Sequence, residues 1–171
     1  TRLQSTVDLS FQGIPLNGVV QQLARDHGLS ISIRREALLH AADLYRQTGD
    51  SAGAIDVLER YLERYPQPAL EAAEVMQRLA DIEAARGNSD QHQYWLQALV
   101  KLAAANKAED RIHELAAQAR LSLAGYRIAE FEKLRIGEPL QQSLAEKLQV
   151  MTLAIDELEA AAGYGLVHVT T

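Results

Sequence analysis

Five histidines, His27, His40, His92, His113 and His168, are the residues of this 171-residue chain best suited to hold a metal or move a proton near neutral pH. Two imidazoles share one helix face only at a spacing of three or four, as in HxxxH or HExxH. None of the five has such a neighbour, so they read as ordinary surface or boundary residues and no metal site is expected. Glu130 and Glu132 stand two apart, which on a helix points them to different sides. With Asp156, Glu157 and Glu159 they read as solvated faces rather than an acid–base pair. No nucleophile elbow, P-loop or G-x-G-x-x-G is read in the chain. Gly163-Tyr164-Gly165 reads as a helix stop, and Trp95, at helical spacing with Leu99, reads as core. No catalytic residue, cofactor or enzymatic activity is expected.

The elements that carry these residues read as helices. Leu38, Ala41, Ala42 and Tyr45 recur at helical spacing; Thr48-Gly49-Asp50 interrupts them; Ala54, Ile55, Leu58, Tyr61 and Leu62 resume; Pro66 closes the run. Two apolar stripes joined by so short a break predict an antiparallel hairpin. Gly49 suits the left-handed conformation that ends a helix. Ala42 and Ala54 are small enough to face each other where the two helices cross.

Residues 36–66 resemble a tetratricopeptide repeat, a helix–turn–helix unit of about 34 residues. The likeness rests on Leu38, Ala42 and Tyr45 in the first helix, Gly49-Asp50 at the turn, Ala54 and Leu58 in the second helix, and the closing Pro66. A second, degenerate copy follows, with Gly87 in the place of Gly49, a linker over Gln67–Ala72, and stripes of Met76, Leu79, Ala80, Ile82 and of Trp95, Leu96, Leu99, Val100. There Glu83 takes the aromatic position, His92 the small one, and Ala104 the place of the proline. The resemblance implies a protein-binding groove lined by the first helix of each repeat: Glu36, Leu39, Asp43, Arg46 and Gln47, then Glu74, Gln77 and Asp81. Relatives that grip a C-terminal carboxylate carry Lys and Asn at these places. Leu39 and Asp43 stand there instead, so the expected ligand is an extended segment with Arg or Lys and apolar side chains.

Two longer helices are expected next. One runs from Ala108 to about Arg135, with Ile112, Leu115, Ala116, Ala119, Leu123, Tyr126, Ile128 and Leu134 on its apolar stripe. Gly137-Glu138-Pro139 ends it. The other runs from Leu140 to Ala162 through Leu144, Leu148, Met151, Leu153, Ile155 and Leu158. They read as a hairpin packed on the repeats and shielding their open end. The tail 166–171 reads as a strand or the start of a further segment.

At the other end, Val7, Leu9 and Phe11 alternate with polar residues; Leu16, Val19, Val20, Leu23 and Ala24 follow at helical spacing after Pro15; Gly28 suits a helix end; Leu29, Ile31 and Ile33 alternate again. This predicts a strand–helix–strand annex over residues 1–35, before a helical domain over 36–171. Residues 7–33 resemble the first half of the short secretin and TonB N-terminal domain, with Asp26-His27-Gly28 at the helix end. That family's second half should follow Ile33, but Arg34-Arg35 leads straight into the repeat. The residues fit equally well a local βαβ cap on a helical array.

The expected fold class is therefore mostly α: tetratricopeptide-like antiparallel hairpins forming an α-solenoid, plus the small annex. Apolar residues at 47% suffice for a core, while aromatics at 5% disfavour a sandwich. A net charge of −6 and the absence of Lys/Arg runs argue against nucleic acid. There is no cysteine to form a disulfide or thiolate site, and no apolar run reaches the ~20 residues of a membrane span. The chain starts at Thr1 without an initiator Met, as a fragment or mature form would. The expected function is a non-catalytic protein-binding scaffold, with protein or extended peptide as partner. An uncovered sheet edge and an open last repeat would allow self-association. The secretin/TonB resemblance implies a periplasmic setting and an envelope machine for secretion, pilus or transport; a cytoplasmic setting is the alternative. The competing function is a signalling or transport-receptor module in which the annex is the working part.

Overall fold

The computed structural model describes residues 31–106 and 109–164, and the described residues hold six helices and no strand. These are α1 (Ile31–Gln47), α2 (Ser51–Arg64), α3 (Ala69–Ala85), α4 (Ser89–Ala105), α5 (Asp110–Lys133) and α6 (Leu140–Ala162). They fall into two compact units, one ending at Tyr61 and one beginning at Leu62. The division lies in the last turn of α2.

The strand expected over Leu29, Ile31 and Ile33 is corrected at its described residues: Ile31 and Ile33 open α1 and are 66% and 46% exposed. Two isoleucines two apart satisfy a strand, but from Arg34 to Leu39 nothing breaks a helix, and each residue added to an existing helix gains a hydrogen bond. The rest of the expected strand–helix–strand annex, residues 1–30, lies outside the described residues, as does the tail 165–171.

In the first unit Leu38, Ala41 and Ala42 of α1 and Ala54, Ile55, Leu58 and Tyr61 of α2 are buried as the spacing predicts; Val57 is buried too, whereas Tyr45 and Leu62 of the expected stripes are half-buried. Tyr61 is fully buried, and its hydroxyl accepts a 3.1 Å hydrogen bond from Arg35 Nε. Helix α2 stops two residues before Pro66, whose ring disfavours helix at the residue preceding it.

In the second unit α3 packs on α4, α4 on α5 and α5 on α6, and α3 also reaches α5. Each helix thus lies on its sequence neighbour, and α3 also on the helix after next, the pattern of a stacked helical repeat. Helix α3 begins at Ala69, inside the stretch expected to be linker. Leu79, Ala80, Trp95, Leu96 and Leu99 are buried between the helices as expected. Ile112, Leu115, Ala116, Ala119 and Leu123 form the buried side of α5. On α6 the expected stripe is corrected. Val150, Ala154 and Ala161 are buried, whereas Leu144, Leu148, Met151, Leu153, Ile155 and Leu158 are each 38–47% exposed. The hairpin is held by Arg120 Nη1 donating to Glu157 Oε2 at 2.7 Å and by Lys147 Nζ donating to the Leu134 carbonyl at 2.9 Å. Burial opposes the charge on Arg120. Its hydrogen bonds to Tyr164 and Glu157, and their attraction, outweigh that opposition and hold the guanidinium above its ordinary pKa.

Candidate protein-binding faces

Glu36, Leu39, Asp43, Arg46 and Gln47 follow one another on α1 at steps of three, four, three and one, so they form one face. Glu36, Arg46 and Gln47 are exposed, and Leu39 and Asp43 are half-buried. On α3, Glu74, Gln77 and Asp81 repeat the first three positions 38 residues on, with Glu74 and Asp81 exposed and Gln77 half-buried. Gln77 Nε2 donates to Asp81 Oδ1 at 2.8 Å, which turns that carboxylate along the helix. Gln77 Oε1 is buried without a hydrogen-bond partner. Arg46 and Gln47 have no polar counterpart, since Ala84 and Ala85 occupy those places on α3. Glu36 and Asp43 on α1, and Glu74 and Asp81 on α3, each stand seven residues or about two helical turns apart, and carboxylates accept from Arg, Lys or backbone N–H groups. The two faces lie in different units and each stands on its own helix.

The helices are aimed by their corners. Gly49 has φ +78° and Gly87 φ +73°, the left-handed region that only glycine enters without strain. At the first corner Gly49 N donates to Arg46 O at 3.1 Å and Asp50 N to Tyr45 O at 2.8 Å. At the second, Gly87 N donates to Ala84 O at 3.0 Å and Asn88 N to Glu83 O at 2.9 Å. Both are Schellman ends. The next residue then caps the following helix: Asp50 Oδ1 accepts from Gly53 N at 2.9 Å, and Asn88 Oδ1 from Gln91 N at 3.5 Å. Gly87 is thus the equivalent of Gly49 in backbone geometry as well as in position.

The segment Gly49-Asp50-Ser51-Ala52-Gly53 does have G-x-S-x-G spacing, which corrects the expectation that no such pattern is present. A nucleophile elbow needs a strand before its serine and a helix after it. Here a helix lies on each side, and the glycines serve the corner instead. A β-carbon on Gly53 would stand 2.7 Å from Cδ1 of the Tyr45 ring, so Gly53 is the seat on which Tyr45 lies. Ala42 and Ala54 are buried at 4% and 0%, as residues at a helix crossing should be.

The family description of the tetratricopeptide repeat matches residues 36–68. Over these residues the chain is similar to a tetratricopeptide repeat. No curated protein and no solved structure matches the chain. Tetratricopeptide repeats generally mediate protein–protein interaction. The matched repeat spans α1 and α2 and contains the whole of the first candidate face. Its departures in the second hairpin have structural consequences. Glu83, where the repeat has Tyr45, is buried at 4% exposure with both carboxylate oxygens 3.3–3.4 Å from Arg86 Nη1. His92, where the repeat has Ala54, places Nδ1 2.7 Å from the Tyr126 hydroxyl on α5. Among the described residues no three His, Cys, Asp or Glu converge as a metal site would require, and no helix is long and apolar enough to cross a membrane.

Proposed function

We propose that the chain is a non-catalytic scaffold that binds extended protein segments bearing Arg or Lys and apolar side chains, on the exposed face of α1 and, separately, on that of α3. The tetratricopeptide match at residues 36–68 carries the reading, and the acidic residues spaced along both faces give it its chemistry. Carboxylates at Glu36, Asp43, Glu74 and Asp81 favour basic ligands, and half-buried Leu39 offers an apolar contact. Such a segment gains affinity from charge-assisted hydrogen bonds and specificity from the positions between them. The proposed setting is an envelope assembly in the bacterial periplasm, for secretion, pilus or transport. Its support is the resemblance of residues 7–33 to the secretin and TonB N-terminal domain.

The test uses fluorescence anisotropy with synthetic extended peptides that alternate Arg or Lys with apolar residues, and matched peptides in which Glu replaces the basic residues. The basic set is expected to bind and the acidic set to bind weakly. Asp43→Lys with Asp81→Lys is expected to weaken the basic set about tenfold or more, equivalent to ~1.4 kcal/mol, with circular dichroism unchanged. Binding that survives both substitutions rejects these faces.

A further inference from the structure

Helix α6 carries two apolar stripes, and its packing on α5 uses the smaller one. Val150, Ala154 and Ala161 are buried, and Lys147 and Glu157, on the same side, are tied to Leu134 and Arg120. The other stripe is Leu144, Leu148, Met151, Ile155 and Leu158, exposed by 42%, 47%, 38%, 44% and 41%. Its steps are four, three, four and three, the a and d positions of a heptad. At 3.6 residues per turn it lies roughly 100° round the helix from the buried stripe, so α5 cannot cover both. With Leu140, 55% exposed, the strip is roughly 27 Å long. A continuous apolar strip of this size marks an interaction surface.

We infer that this strip is the interface between two copies of the chain, with α6 of one lying antiparallel against α6 of the other. Heptad spacing selects the occupant's shape: knobs at a and d interlock with the same pattern on another helix. The strip is also its own complement. When Met151 lies against the partner's Ile155, the layers are Leu144 on the partner's Ala162, Leu148 on the partner's Leu158, and Met151 on the partner's Ile155, each occurring twice. All six layers are apolar. Charge sets the direction. Asp156, Glu157 and Glu159 make one end of α6 acidic, while toward the other end Lys133, Arg135 and Lys147 are balanced by Glu132, Glu138 and Glu146. An antiparallel pair places each acidic end beside the partner's charge-balanced end; a parallel pair places acid beside acid. Two α5–α6 hairpins joined this way form a four-helix bundle.

The experiment is sedimentation equilibrium on the full chain over a concentration series. The chain is expected to dimerise, and Leu148→Glu with Ile155→Glu to weaken the dimer about a hundredfold or more, because both charges would be buried in the seam. Leu153→Glu, exposed but off the strip, is expected to leave the dimer intact, and circular dichroism to show equal helicity in all forms. A wild-type chain that stays monomeric overturns the inference, and so does a dimer that survives the double substitution. Direction is read separately, since the chain has no cysteine of its own. Met151→Cys and Ile155→Cys chains, mixed and oxidised, are expected to cross-link to each other in preference to themselves. Preferential self-linking of Met151→Cys overturns the antiparallel arrangement.

Discussion

The Tyr45 ring lies where a methyl group on Gly53 would be, 2.7 Å from its Cδ1 atom. In an ordinary helix, glycine to alanine gains about 0.5–1 kcal/mol. At Gly53 the sign should reverse. With Asp50 Oδ2 also 2.7 Å from the added carbon, Gly53→Ala is expected to destabilise the protein by about 1–3 kcal/mol through overpacking, and the same substitution should cost less in a Tyr45→Ala background by urea denaturation. A midpoint that rises for Gly53→Ala alone would refute the contact. Glu83 makes a second residue-scale case. Its carboxylate is buried, whereas its partner Arg86 has a half-exposed side chain. Arg86→Ala leaves that buried group without its ion pair, at an expected cost of about 1–3 kcal/mol. Breaking the exposed Arg111–Glu114 pair should change stability by less than ~1 kcal/mol. Glu83→Met together with Arg86→Ala should come close to wild type, since apolar replacement of a buried ion pair is often neutral or stabilising.

At the scale of elements, the corners were the most legible part of the chain. Gly49 and Gly87 were readable because a helix end in the left-handed region has few chemical solutions, and a glycine followed by Asp or Asn is one of them. An added β-carbon at either glycine meets nothing within 4 Å, so the cost of Gly49→Ala or Gly87→Ala is purely conformational. About 1–2 kcal/mol is expected for each, measured by thermal melting, and similar values at the two sites would confirm that the corners are equivalent. The start of α1 was misread because three alternating residues cannot distinguish strand from helix when no breaker follows. Helix α6 was placed correctly along the chain but turned the wrong way. Its large apolar residues suggested a buried stripe, yet Ala154 and Ala161 are the positions small enough to let α5 approach. Periodicity shows that a stripe exists; when a helix has two, it does not show which one faces inward.

For the whole molecule, repeat character was legible from spacing, and the family match supports it over residues 36–68. The candidate faces were legible only through that resemblance. Solvated residues such as Glu36 and Glu74 leave no mark in hydropathy, and their grouping on one helix side follows from period alone. The link of Tyr61 to Arg35 and that of His92 to Tyr126 were not legible, because each joins residues 26 or 34 positions apart on different helices.

Because both corners share one backbone geometry and stand 38 residues apart, the chain contains a unit that can be copied like a bead on a string. A gene in which the codons for Asp50–Gly87 are duplicated would create one new junction, Gly87 followed by Asp50. That junction again joins a left-handed glycine to a capping carboxylate. The enlarged product should have its helical content raised in proportion to its length, read by circular dichroism, and a tract of this kind could grow or shrink by whole copies without any new corner having to evolve.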